Sequence, residues 1–91
     1  MSVQAIQQAL AKALQWDHAV RTGDVTSMTA LAKREDLSQR YIARVMNLAF
    51  LAPDIMEAII RGDVPQALSL DRLKQGFPLA WEKQRKTLGF S

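Results

Sequence analysis

From Val3 onward, apolar residues recur at three- and four-residue spacing, and no run of alternating β-branched residues interrupts that rhythm. Side chains three and four apart share one face of an α-helix, whereas a half-buried strand alternates with period two. The pattern therefore specifies an all-α fold, a compact helical domain of five to six helices. The first helix spans Val3–Val20, with Val3, Ile6, Leu10, Leu14 beside Ala13, and Val20 as its inward stripe. Ser2 is placed to cap its start and Gly23 to end it, while Arg21 complements the negative end of the helix dipole. Thr26 or Ser27 opens a short second helix carrying Met28, Leu31 and Ala32. Ser38 opens a third, expected to be the longest interior helix, in which Tyr41 or Ile42, Val45, Leu48 and Ala49 repeat as far as Phe50.

Pro53 suits the first turn of a fourth helix, Ala52 or Asp54 serves its positive end, and Ile55, Met56, Ile59 and Ile60 make an apolar stripe stopped by Gly62. Ser69 caps a fifth over Leu70–Gln75, and Pro78 opens a sixth carrying Leu79, Trp81 and Leu88. No internal repeat or low-complexity linker divides the chain. The expectation is one domain over 1–91: an N-terminal helix over 1–22, a central segment over 26–50 and C-terminal helices over 52–91.

A chain of 91 residues has a thin core, and its lack of cysteine excludes a disulfide framework or a thiolate zinc site. No apolar run approaches the roughly 20 residues that span a bilayer. The start, Met1-Ser2-Val3-Gln4, lacks the basic flank and apolar stretch of a signal peptide. A soluble, cytoplasmic, nucleoid-associated protein with no membrane partner is expected.

The central segment, Met28 to Asn47, meets the requirements of a helix-turn-helix. Leu31 faces inward, Ala32 is small where the two helices cross, Leu37 plugs the turn, and Ile42 and Val45 anchor the second helix. The turn departs from the usual pattern at Asp36, where glycine is common because the backbone enters the left-handed region; aspartate is among the residues that tolerate it. By elimination from the inward pair, Gln39, Arg40, Ala43, Arg44 and Asn47 form the exposed side. Arginine bonds guanine O6 and N7 in bidentate fashion, and glutamine or asparagine pairs with adenine N6 and N7. Thr26, Ser27, Thr29 and Ser38, at helix N-termini, are placed for phosphates and would set register rather than specificity.

These residues carry a resemblance. Leu31-Ala32, the run Leu37-Ser38-Gln39-Arg40-Tyr41-Ile42-Ala43-Arg44-Val45, then Leu48 and Pro53 resemble the ParB/KorB-type helix-turn-helix, with Ser38, Tyr41, Ile42 and Arg44 as its most telling positions. The stretch from Leu51 to Asp63, with Leu68 to Leu73 and Phe77 to Glu82, is also similar to the C-terminal segment of bacterial large serine recombinases and related mobile-element proteins. The similarity covers most of the chain after Thr26. It implies a bacterial protein that binds DNA through the helix beginning at Ser38. It implies nothing catalytic, because the recombinase's nucleophile domain would precede this segment and the partition proteins' nucleotide-binding region has no counterpart here.

Charge agrees in sign. From Arg72 to Ser91, five bases (Arg72, Lys74, Lys83, Arg85, Lys86) face one acid (Glu82), whereas the first 71 residues carry seven bases against eight acids. Lys83, Arg85 and Lys86 are thus candidate phosphate contacts; a solvated helix face serving solubility explains the same run equally well. A plain three-helix packing can also mimic a helix-turn-helix over twenty residues, and Arg40 and Arg44 weigh against it. His18, the lone histidine, lacks companions for a metal site. Trp16, Phe77 and Trp81 are read as core rather than base-stacking residues. Glu35 with Asp36, or Asp63 with Asp71, has no nucleophile, histidine or glycine-rich loop beside it, so neither enzyme activity nor a cofactor is expected. Met28, Met46 and Met56 are read as gap fillers in the core.

The expected function is sequence-specific DNA-binding transcription regulation, as a homodimer on a two-fold related duplex, with RNA polymerase or a regulatory protein as a further partner. The alternatives are an accessory DNA-binding module of a recombinase or partition system, and a helical protein-interaction adaptor that uses the apolar helix over Asp54–Ile60.

Overall fold

The computed structural model describes residues 3–90. Six α-helices and no strand occur among them: α1 (Val3–Thr22), α2 (Met28–Glu35), α3 (Gln39–Met46), α4 (Pro53–Arg61), α5 (Leu70–Lys74) and α6 (Trp81–Leu88), with a 3-10 turn over Asn47–Phe50. The Ser2 cap falls outside the described residues.

The long α1 is the wall on which the rest is built, packing against α3, the 3-10 turn, α4 and α5. Its buried face is Ile6, Ala9, Leu10, Ala13, Trp16 and Ala19. Leu14 and Val20, expected inside, are each 41% exposed. Leu14 lies about 120° from the middle of the buried stripe at 3.6 residues per turn. Val25 folds back over the end of the helix instead of Val20 doing so, with its N–H donating to Ala19 O at 3.3 Å and its side chain buried. Small alanines hold the centre of the face, and they let α3 and the 3-10 turn come close.

Ser27 caps α2 and Ser38 caps α3, each hydroxyl accepting the N–H three residues on, from Ala30 and Tyr41 at 3.1 Å. Between them Asp36 stands at φ 56°, ψ 45°, the left-handed conformation read from the turn pattern. Leu37 N–H donates to Ala32 O at 3.1 Å and Asp36 N–H to Lys33 O at 3.3 Å, closing the end of α2 as a Schellman motif. Leu31, Ile42 and Val45 are buried, but Leu37 is 40% exposed and only partly plugs the turn.

After Met46 the third helix tightens into the 3-10 turn, so it is not the longest interior helix; α4, with nine residues, is longer. Residues three apart eclipse in 3-10 geometry, which turns Leu48 and Leu51 inward together. In α4, Ile55, Ala58 and Ile59 are buried, while Ile60 is 66% exposed. Its stripe is narrower than expected because α1 covers one side only, and Gln7 Nε2 donates to Ile59 O (3.0 Å) and Ile60 O (3.2 Å) at its C-terminal end. Helix α6 starts at Trp81 rather than at Pro78. Of the aromatics expected in the core, Trp16 is buried and Phe77 packs against the core, but Trp81 is half exposed at the leading edge of α6. Met28, Met46 and Met56 are partly buried against the core, as gap filling requires.

Candidate nucleic-acid interface

Helix α3 is eight residues long, about 12 Å at 1.5 Å per residue, and it is split lengthwise. Ile42 and Val45 are buried on one side, whereas Gln39, Arg40, Ala43, Arg44 and Asn47 are all exposed on the other. At 100° per residue these five fall within an arc of about 140°. Asn47 belongs to this arc although it opens the 3-10 turn, its N–H donating to Ala43 O and Val45 O. The inward half is held by α1 and α2, and Tyr41 is further braced by Lys74, whose ammonium lies 5.1 Å from the ring centroid.

The charge state of the exposed arc separates it from the remaining surface. Of seven arginines, Arg21 pairs with Asp17 (2.9 Å), Arg34 with Asp24 (3.0 Å), Arg61 with Glu57 (3.1 Å) and Arg85 with Asp54 (2.7 Å). Arg72 donates to Gly76 O at 2.9 Å. Among the described residues, Arg40 and Arg44 alone of the arginines have neither an ion pair nor a hydrogen-bonded partner. Two guanidiniums one helical turn apart thus stand with all their donors available.

The N-termini of α2 and α3 meet beside this arc. Gln39 Nε2 donates to Thr29 Oγ1 at 3.0 Å, and Thr29, Lys33, Ser38 and Gln39 line one shallow depression. Ser27 and Ser38 use a lone pair for capping, which leaves each O–H proton free to donate; Thr29 is in the same position after accepting from Gln39. Thr26 is exposed and forms no side-chain bond among those described. Lys33 was not singled out by sequence reasoning. It is exposed, has no ion pair among the described residues, and is one turn beyond Thr29 on the same face of α2. That i, i+4 spacing was the signal that could have found it.

The C-terminal phosphate candidates divide. Arg85 is committed: its Nε and Nη2 donate to the two Asp54 oxygens at 2.7 and 2.8 Å, in the parallel fork that guanidinium and carboxylate form best. The hydrogen bonds from Arg85 hold the Asp54 carboxyl below the usual carboxylate range, and the same bonds push Arg85 up. Arg85 therefore joins α4 to α6 instead of presenting a free charge. Lys83 and Lys86 are exposed and carry no ion pair among the described residues. Three His, Cys, Asp or Glu side chains are nowhere grouped to hold a metal among the described residues. No helix of the described chain is long and apolar enough to cross a membrane.

No protein-family model, curated protein or solved structure matches this chain.

Proposed function

We propose that this chain is a sequence-specific DNA-binding regulator of transcription that lays α3 in the major groove. The observation that carries the reading is the pair Arg40 and Arg44, left unpartnered on the open side of a helix whose other side is buried. A structural helix gains nothing from two such neighbours, because like charges at i, i+4 repel by a few tenths of a kcal/mol. Facing a duplex, each becomes a bidentate reader of guanine, supported by Gln39 and Asn47 as candidate adenine readers and by Ala43, which is small enough to meet a thymine methyl. Thr26, Ser27, Thr29, Ser38 and Lys33 grip the adjoining phosphates, and Lys83 and Lys86 add charge that is indifferent to sequence. The resemblance to ParB/KorB-type domains and to recombinase C-terminal segments supports the same placement.

One short helix offers too little contact for tight binding, so the regulator acts as a homodimer on two half-sites about one helical turn apart. Selection of duplexes from a randomised pool, followed by sedimentation of the chain on the enriched sequence, tests both parts. Enrichment of a two-fold related sequence bound by two chains is the expected result. Failure to enrich any sequence removes the regulatory reading, and a one-to-one complex removes the dimer.

The second reading, a DNA-binding module serving a recombinase or partition partner, is favoured by a different observation. Phe50, Leu79 and Trp81 are 50%, 73% and 50% exposed, and Phe50 and Leu79 line one cleft with Asn47 at the far end of the reading helix. An apolar edge beside the DNA-facing arc suits a partner protein, RNA polymerase included. On α4, the helix of the adaptor alternative, Ile55, Ala58 and Ile59 are buried and Ile60 is exposed.

A further inference from the structure

We propose that Thr29 is a positioning residue that fixes the Gln39 amide to read adenine rather than guanine, an inference that rests on α3 entering the major groove. Thr29 is the second residue of α2 and Gln39 the first of α3, and Gln39 Nε2 donates to Thr29 Oγ1 at 3.0 Å across the turn. Both side chains belong to exposed residues, so no buried polar group demands the bond. Its consequence is orientation. A side-chain amide nitrogen carries two hydrogens, and a freely turning glutamine can offer both to the two acceptors of guanine, N7 and O6. Thr29 holds one of them. Where the held hydrogen is the one turned away from the amide oxygen, what remains is one N–H beside that oxygen, a donor–acceptor edge that matches adenine N7 and N6 and sets an oxygen against guanine O6.

The threonine hydroxyl has its own proton left after accepting from Gln39. Donated to a phosphate oxygen, that proton ties the base-reading amide to the contact that sets the register of the helix on the duplex. The same depression is lined by Lys33 and Ser38, a cation and a second hydroxyl, and also by the acidic Asp36. Thr29 thus acts through Gln39 on specificity and touches no base itself.

The test uses the full chain and a duplex enriched from a randomised pool, with each base pair then exchanged in turn. Thr29→Val keeps the branched shape and removes the hydroxyl; it is expected to lower adenine-over-guanine discrimination about tenfold at one base pair, within the range of a bidentate contact. Preferences at the remaining pairs stay as they were. Thr29→Ser restores the discrimination, Gln39→Ala abolishes it at the same base pair, and adding Thr29→Val to Gln39→Ala changes it no further. A purely structural role would weaken every duplex alike and leave the adenine-to-guanine ratio unchanged. The inference is overturned if Thr29→Val leaves the ratio intact or lowers affinity uniformly while Arg44→Ala still relaxes a preference elsewhere. Should the parent chain enrich no sequence, the groove-reading role itself fails and this inference with it.

Discussion

The side-chain oxygen of Gln84 accepts the backbone N–H of Ala52 at 2.8 Å, and its nitrogen donates to Phe50 O at 3.1 Å. Gln84 is fully buried, the one polar side chain among the buried residues, and every buried side-chain polar atom among the described residues is satisfied. The clamp holds the chain where it leaves the 3-10 turn and enters α4, where Pro53 can donate no hydrogen bond of its own. Gln84→Leu fills similar space but strands two backbone groups. A loss of about 2–3 kcal/mol is expected, or roughly 10–20 °C in Tm for a domain of this size. Thermal unfolding by circular dichroism measures it, and an unchanged Tm would show that the clamp is replaceable by water.

The Asp54–Arg85 fork makes stability depend on acid. Because Asp54 is held below the usual carboxylate range, the unfolded chain takes up this proton before the folded one does. The pair's contribution is therefore complete above the unfolded value of about 4 and disappears as pH falls through the lower folded value. Tm followed from neutral pH to about pH 3 should drop more steeply in the natural chain than in Asp54→Asn. Parallel curves would mean that the fork contributes nothing.

Asp36 occupies the left-handed region at φ 56°. Aspartate tolerates it, other L-residues less so, and glycine freely. Stability should follow the order glycine, aspartate, alanine at this position, with Asp36→Ala costing about 1 kcal/mol. Urea midpoints at equal m-value give the comparison; an alanine variant as stable as the parent would show that the turn relaxes to another conformation.

On DNA, two groups of cations should behave differently. Arg40→Ala or Arg44→Ala is expected to relax base preference, each by about 1–3 kcal/mol at its own base pair. Changing Lys83 and Lys86 to alanine together should weaken all duplexes similarly and flatten the log-affinity against log-salt slope by nearly 2 units if both touch phosphate. Arg85 is left out of this set because its charge is already engaged. Titrations at several salt concentrations separate the two behaviours, and uniform losses from both sets would remove the groove-reading assignment.

Much of this molecule could be read in its order of residues. Local signals act within one turn, so Ser38 and Ser69 as caps, Pro53 at a helix start, Gly62 as a stop and Asp36 in the left-handed turn all follow from short-range chemistry, whereas the structure decides for Ser27 over Thr26 as the cap of α2. The exposed set Gln39, Arg40, Ala43, Arg44 and Asn47 followed too, because Ile42 and Val45 determine by periodicity which side of α3 is turned away. Where periodicity was read by residue size, it misled. Leu14, Val20, Ile60 and Trp81 are large and apolar yet half out, while Ala9 and Ala19, absent from the expected stripe, line the core.

By itself, then, the sequence determined an all-helical chain, the register of its helix-turn-helix and the solvent-facing half of α3, since each depends on neighbours three or four residues away. The tertiary structure alone decided which cations are free. It brought Arg85 to Asp54, Gln84 to Ala52 and Gln39 to Thr29, partners ten to thirty-two residues apart. Pairing is a matter of distance in space, and only the packing of α1 against the remaining helices sets those distances.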